Sequence, residues 1–283
     1  MKASSNIETA LITGSNNGIG LALTRKLIAE GWQVIALVRS DFSAEDDALQ
    51  HAIRAGRLRV YKADLADFSQ LKRALRIIKE KESHIDVLFN NAGGSLSGIF
   101  YSKQNRELHY ELQTVAPYII LMELKELLQQ GSRKTVVNTS TNAFAGLRSF
   151  RADTLERPES FKKLFGPYAA TKLALSLWTH ALAPLLASDG IIVRSADPGG
   201  NNTIRKGNGA GLPVYIRLIM KWFFAAPDKG ASLLYDAAVG EHGGLSGVYL
   251  TKGHVAELKF VEQAPRVLEQ VQAIYKREFM RLG

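Results

Sequence analysis

From residue 9 to residue 196 the chain alternates short runs rich in β-branched residues with longer stretches whose apolar positions recur every three or four residues. The short runs are TALIT (9–13), QVIALV (33–38), RVYK (59–62), DVLFN (86–90), TVVNT (135–139) and IIVRSA (191–196), with GVYL (247–250) as a seventh candidate. Between them lie GIGLALTRKLIAEG, SQLKRALRIIKEKE, ELHYELQTVAPYIILMELKELLQQG and YAATKLALSLWTHALAPLLASDG, and several of these close on Gly, a common helix stop. Strands apolar on both faces and separated by helices point to a parallel sheet covered on each side, with right-handed crossovers. The expected fold is therefore α/β, doubly wound in three layers around a sheet of about seven parallel strands. No linker, composition break or repeat divides the sequence, so residues 1–283 are read as one domain. Two irregular stretches, 144–165 and 199–213, are long for loops inside a compact domain, and such loops are often functional.

Composition narrows the chemistry. The chain has no cysteine, which removes disulfides, thiolate catalysis and cysteine metal sites together. Six scattered histidines form no H-x-x-x-H pair, so no metal site is expected. With 46% hydrophobic residues a proper core can form. No run approaches the roughly 18 apolar residues of a membrane-spanning helix. The opening MKASSNIETALITG carries no apolar region followed by a small-residue cleavage site, so no signal peptide is expected and the cytoplasm is the expected compartment. The net charge of +9 is diffuse. It contains no long Lys/Arg run and no interleaved aromatics, which argues against a nucleic-acid partner and for a solvated surface.

The first strand runs into a glycine-rich turn and then an amphipathic helix: TALITGSNNGIGLALTRKL. Over Gly14, Ser15, Asn16, Asn17, Gly18, Ile19 and Gly20 the glycines leave room for backbone to approach a ligand and for the helix to pack on the sheet. The helix N-terminus offers free N–H groups and partial positive charge to a pyrophosphate. The spacing is G-x-x-x-G-x-G rather than the general G-x-G-x-x-G dinucleotide fingerprint, and a tight βα turn without ligand is the alternative. A second cluster, GNGAG (207–211), follows no strand and reads as a plain loop. At the tip of the second strand, where a carboxylate would bind an adenosine ribose, stand Val38, Arg39 and Ser40. An arginine forks onto a 2′-phosphate and a serine adds a hydrogen bond, so NADP(H) is expected over NAD(H), with Asp41 nearby as the one repelling charge.

With these pieces in place the chain resembles the short-chain dehydrogenase/reductase family, Rossmann-like in fold, over residues 9 to about 203 and in the family's order. TGSNNGIG (13–20) resembles its glycine turn, ADL (63–65) its adenine-pocket Asp-Leu (Asp64 and Leu65), and NNAG (Asn90, Asn91, Ala92, Gly93) closes the fourth strand. YAATK (168–172) matches Y-x-x-x-K, and DPGGNNT (197–203) fits P-G-x-V-x-T with Asn201 in the valine position. The stretch before Tyr168 resembles the longer insert of the retinol-dehydrogenase-like branch. The resemblance implies that Tyr168 gives a proton to a carbonyl under reduction, or takes one from an alcohol under oxidation. It also implies that Lys172 holds the nicotinamide ribose, that Thr203 binds the carboxamide, that Pro198 and Gly199 shape the ring's seat, and that Thr139 joins the cofactor contacts. A free phenol titrates at about 10, and an ammonium one helical turn away, together with the positive nicotinamide ring of the oxidised cofactor, is expected to lower it.

Two positions depart from the family pattern. The serine that follows the fifth strand falls on Thr141, with Ser140 as the fallback, and the asparagine of the fourth helix falls on Gln113, or on Thr114 if the register slips. A threonine keeps the hydroxyl; a glutamine keeps the amide but reaches one methylene further, and helix filler is the alternative reading. The substrate is expected to be a lipophilic ketone, aldehyde or secondary alcohol, bounded by segments 142–165 and 200–224. LPVYIRLIMKWFF (212–224) is an apolar helix candidate for a lid, a membrane contact or a packed helix. Apolar faces over 107–130 and 168–187 suit a homo-oligomer, dimer or tetramer. Alternatives to the oxidoreductase reading are a cofactor-binding sensor or scaffold with weakened chemistry, and an epimerase or dehydratase on the same fold.

Overall fold

The computed structural model describes residues 7–200, 227–242 and 244–282. Alternation in the sequence becomes alternation in space. Strands β1 (Thr9–Thr13), β2 (Gln33–Val38), β3 (Leu58–Lys62), β4 (Val87–Asn90), β5 (Thr135–Thr139), β6 (Ile192–Asp197), β7 (Tyr249–Thr251) and β8 (His254–Ala256) make one sheet in the order β3-β2-β1-β4-β5-β6-β7-β8. All neighbours are parallel except β7 and β8. Because successive side chains point to opposite faces, each strand feeds two cores. Leu11, Ile35, Leu37, Leu88 and Val136 go to one, and Ala10, Ile12, Val34, Ala36, Phe89 and Val137 to the other.

Helices cover both faces. On one side lie α1 (Gly18–Ala29), α2 (Asp47–Arg54) and α7 (Pro227–Val239). On the other lie α3 (Phe68–Lys81), α4, α5 (Lys125–Gln130), α6 (Pro167–Leu186) and α8 (Ala264–Ile274). Here α4 denotes Leu108–Tyr110 and Ala116–Glu123 together with the π turn Glu111–Val115 that joins them. The helix expected over 107–131 is thus interrupted twice, by the π turn and at Leu124, where the chain leaves helical geometry before α5. Strand order reverses between β1 and β4, and in doubly wound sheets that switch point opens a crevice at the strands' carboxyl ends.

Three features go beyond the expectations. The seven parallel strands expected are joined by an eighth, because β7 turns back through Lys252 and Gly253, both at positive φ (53° and 82°), into an antiparallel β8. That is the geometry of a two-residue hairpin turn, and three-residue strands leave no periodicity to read. Second, 144–165 is not an open loop. Phe144, Phe150, Ala152 and Leu155 are buried, and Lys259 ties down the Ala145 and Leu147 carbonyls at 2.9 and 2.6 Å. Third, the apolar faces of α4 and α6 are covered by the chain itself. Val267, Leu268, Val271, Ile274 and Phe279 join their core, Tyr275 packs on Tyr118 with ring centres 6.0 Å apart, and its hydroxyl reaches Glu123 at 2.8 Å. Asn201, Thr203, the GNGAG loop and the 212–224 segment lie outside the described residues. No described helix is long and apolar enough to cross a membrane.

Candidate active site

The glycine turn is built around close approach. Gly14 and Gly18 have positive φ (65° and 52°), and a Cβ on Gly20 would lie 2.2 Å from the Gly14 carbonyl oxygen. Asn17 precedes α1 without a capping side chain, so the helix's first N–H groups face the crevice. Ser15 Oγ is buried with no hydrogen-bond partner among the described residues. Asn16 reaches the tip of β2: its Nδ2 donates to Ser40 O at 2.6 Å, Ser40 Oγ at 3.0 Å and Asp41 O at 3.2 Å. Arg39 and Ser40 are exposed at that tip, and Asp41 accepts an ion pair from Lys62 at 2.6 Å. The carboxylate expected to repel a phosphate there is therefore already answered by a cation.

The ends of β1 and β4 are laced together. Thr13 Oγ1 accepts from the backbone N–H of Asn91 and of Ala92, both at 2.9 Å, while Asn91 Nδ2 donates to Thr13 O at 3.1 Å. Thr13 is a part of this site that the sequence motif includes without assigning it a task. Asn90 turns inward: its amide donates to Asn138 Oδ1 at 2.9 Å, and Asn138 passes the chain to Thr179 at 2.8 Å. Its side chain therefore braces β4, β5 and α6 instead of facing the crevice. Asp64 accepts from Ala66 N at 3.0 Å, and Leu65 is buried beside it.

At the ends of β5 and β6 the structure separates two candidates that sequence left together. Thr141 caps the short turn after β5, with Ala143 N–H at 3.2 Å, and its hydroxyl hydrogen-bonds Tyr168. Ser140 points the other way, to Ser176 Oγ at 2.8 Å and the Lys172 carbonyl at 3.3 Å, so its hydroxyl belongs to the packing of α6. Lys172 is 3% exposed and donates to the Thr139 carbonyl. Burial in a low-dielectric surround lowers its pKa to about 7. The Tyr168 phenol is shifted upward, mainly by burial, with the Thr141 hydrogen bond opposing and the Asp197 carboxylate reinforcing. The expected lowering by Lys172 acts together with the charge of an oxidised nicotinamide ring; in the protein alone burial is the largest influence on this phenol. Thr139 Oγ1, at the end of β5, is buried without a partner among the described residues.

Gln113 sits in the π turn, 1% exposed, packed under Gly93 so closely that a Cβ there would lie 2.8 Å from Gln113 Oε1. Its Nε2 makes a long contact to Gly94 O, 3.4 Å, and its Oε1 has no partner among the described residues. Thr114, the alternative register, faces α6: Oγ1 donates to Thr171 O at 2.8 Å. Gln113 is thus the residue that reaches the crevice side. On β6, Asp197 is buried and receives Gly199 N–H at 3.0 Å and Thr251 Oγ1 at 3.2 Å, which holds the Pro198–Gly199 turn at the sheet edge. Neither Asp197 nor the buried pair Glu107 and His109, which lies against Tyr168, carries a motif signal that sequence reading would have caught.

A crevice of this kind at the switch point makes the chain a Rossmann-type nucleotide-binding protein. The family described as short chain dehydrogenase matches residues 8–152, and the chain belongs to it. Among curated relatives, human retinol dehydrogenase 14 is 27% identical over 93% of this chain and 82% of its own length. Oxidoreductase UcpA of Salmonella typhimurium is 30% identical over 68% of each. Among solved structures, the NADPH-bound carbonyl reductase from chicken fatty liver superimposes with a TM-score of 0.66 at 21% identity, covering 89% of this chain and 99% of its own. The family is one of oxidoreductases that use a nicotinamide cofactor.

Proposed function

We propose that the protein is an NADP(H)-dependent carbonyl reductase, reversible in principle, acting on a small-to-medium lipophilic carbonyl with Tyr168 as proton donor. The observation that carries this reading is the Tyr168–Thr141 hydroxyl pair, with Lys172 one turn behind it, at the strand ends beside the glycine turn. The crevice residues fit a dinucleotide: a turn that has no room for a side chain at Gly20, an uncapped helix N-terminus, and two buried hydroxyls, Ser15 and Thr139, without partners among the described residues.

Nicotinamide supplies hydride transfer when bound; this chain's residues do the rest. Thr141 accepts or donates a hydrogen bond at the substrate oxygen and fixes it beside the phenol. Burial and Asp197 keep Tyr168 protonated at neutral pH, the state needed to deliver a proton to a developing alkoxide. Lys172, titrating near 7, exchanges a proton with the ribose side of the pocket and replenishes the phenol. Arg39 and the Ser40 hydroxyl supply the donors for a 2′-phosphate, and the Asn16 amide braces the tip that carries them. Lipophilic substrates are supported by Phe165, 50% exposed, which overhangs Gly146 in the turn after Thr141.

The direct test is turnover of a carbonyl panel with NADPH and with NADH, for the parent and for Tyr168→Phe. Expected is NADPH-dependent reduction that falls about 100-fold or more in the variant, within the usual range for a positioned acid, while NADPH binding is kept. Turnover that survives Tyr168→Phe refutes the assignment. Product formation without a change in nicotinamide absorbance would instead favour an epimerase or dehydratase.

A further inference from the structure

Beside Tyr168 lie two fully buried ionisable side chains for which the reaction above has no use. Glu107 and His109 are each 0% exposed at the side chain, and His109 Nδ1 is 2.6 Å from Glu107 Oε1. The other ring nitrogen, Nε2, accepts the backbone N–H of Leu96 at 3.0 Å. A backbone N–H only donates, so Nε2 must be the bare nitrogen and Nδ1 the protonated one, donating to the carboxylate. The remaining oxygen, Glu107 Oε2, caps α4 by accepting from Tyr110 N at 3.0 Å. Glu107's own N–H is tied to the Glu156 carbonyl at 3.0 Å. The ring of His109 meets the ring of Tyr168 edge to face, centres 6.2 Å apart and planes at 71°.

Three elements therefore converge on the pair: the insert segment through Glu156 on Glu107 N–H, and the segment after β4 through Leu96 and the Tyr168 ring on His109. Four residues along from His109, Gln113 holds the same segment at Gly94. Two side chains of α4 thus grip the Gly93–Leu96 stretch that follows β4. A lone core histidine satisfied by any acceptor would need neither a fixed tautomer nor a ring edge aimed at the phenol. The geometry points to Glu107 and His109 as a positioning pair that sets the orientation of the Tyr168 ring and the height of the Gly93–Leu96 segment. The inference rests on the reading of Tyr168 as proton donor. Neither residue touches the reacting atoms; they act through Tyr168 and Leu96.

The pair makes two separable contacts, and substitutions separate them. His109→Gln keeps an acceptor for Leu96 N–H but removes the ring. His109→Phe keeps the ring and removes both hydrogen bonds. Glu107→Gln keeps the side-chain shape and an acceptor oxygen but removes the charge. The measurement is kcat and KM for carbonyl reduction in the full-length protein, well below the thermal midpoint of each variant, with NADPH affinity read by fluorescence titration. Expected is a fall in kcat of about 10-fold or more in both His109 variants, with NADPH affinity unchanged within about twofold. Glu107→Gln is expected to fall likewise, and the Glu107→Gln/His109→Phe double variant to fall no further than the worse single one, as coupled residues do. Two results overturn the proposal: kcat unmoved in His109→Phe while Tyr168→Phe is inactive, or kcat loss that merely tracks loss of NADPH binding and of thermal stability. If Tyr168→Phe itself remains active, the proton-donor reading fails first and the pair loses its role with it.

Discussion

Lys172→Met is expected to make the ligand-free protein more stable, and by an amount that depends on pH in a calculable way. The ammonium is 3% exposed, makes its one described hydrogen bond to the Thr139 carbonyl, and forms no ion pair among the described residues. Burial brings its pKa from 10.5 to about 7. The unfolded chain keeps this proton up to about pH 10.5 while the folded chain gives it up near 7, so unfolding takes up a proton between those values and stability rises with pH across that window. Below about pH 7 the penalty is complete. A difference of about 3.5 pH units at about 1.4 kcal/mol each amounts to about 5 kcal/mol. Methionine fills similar volume without a charge and gives up one hydrogen bond worth about 1 kcal/mol. The variant should therefore exceed the parent by several kcal/mol at pH 6, and more than half of that gap should be gone by pH 9. The assay is urea denaturation of both proteins at pH 6, 7.5 and 9. Other titrating groups are common to both and cancel in the difference. A gap that stays constant over this range would show that the lysine is solvated and would refute the argument. Turnover of the variant should collapse at the same time, because a group kept at such cost is kept for function.

Four further outcomes follow from named contacts. Gly20→Ala drives a methyl into the Gly14 carbonyl and the Asn91 amide, at 2.2 and 2.5 Å; NADPH binding should be lost in fluorescence titration, with a lowered thermal midpoint, and retained affinity would refute the close approach. Arg39→Ala should raise the KM for NADPH by about 10- to 100-fold, the worth of a charged hydrogen bond, while leaving NADH unaffected. Arg106→Met leaves Glu111, 0% exposed and paired with Arg106 Nε at 2.9 Å, as an uncompensated buried charge. Denaturant unfolding should then show a loss of about 3–5 kcal/mol, most of it recovered in the double variant Arg106→Met/Glu111→Leu. Finally, since α8 and the residues after it cover the apolar faces of α4 and α6, a homo-oligomer should form through other surfaces; sedimentation with interface mapping that places the contacts on those two helices would refute this.

Much of the fold was legible because its signals are local. Strand runs such as TALIT and QVIALV are apolar on both faces within five or six residues, and helix spacing repeats within a turn or two, so neighbours in sequence suffice to read them. The glycine turn was legible for the same reason: it reports a backbone requirement of its own few residues. What failed was either too short to carry a period, as with β8, or altered by distant packing, as with the π turn that interrupts the helix at Gln113. At the site, Tyr168 and Lys172 were legible as a pair because one helix places them four residues apart. Thr141 and Ser140 were not separable, since one residue's difference at a strand end turns a hydroxyl from the crevice to the helix behind it, and only β5's register against β6 decides which.

Sequence by itself determined the layering of this protein, its glycine turn and which candidate side chains gather at the strand ends, because these follow from periodicity and from short-range backbone needs. Tertiary structure alone decided their chemical state. Lys172 titrates near 7 because of what surrounds it on every side, not because of its neighbours in the chain. The Tyr168 phenol moves upward mainly because it is buried, and the Asp197 carboxylate, 29 positions along, adds to the shift. His109 is held in one tautomer by a backbone group 13 residues away. Burial and electric field are sums over everything nearby in space, and the chain order lists only what is nearby along the backbone.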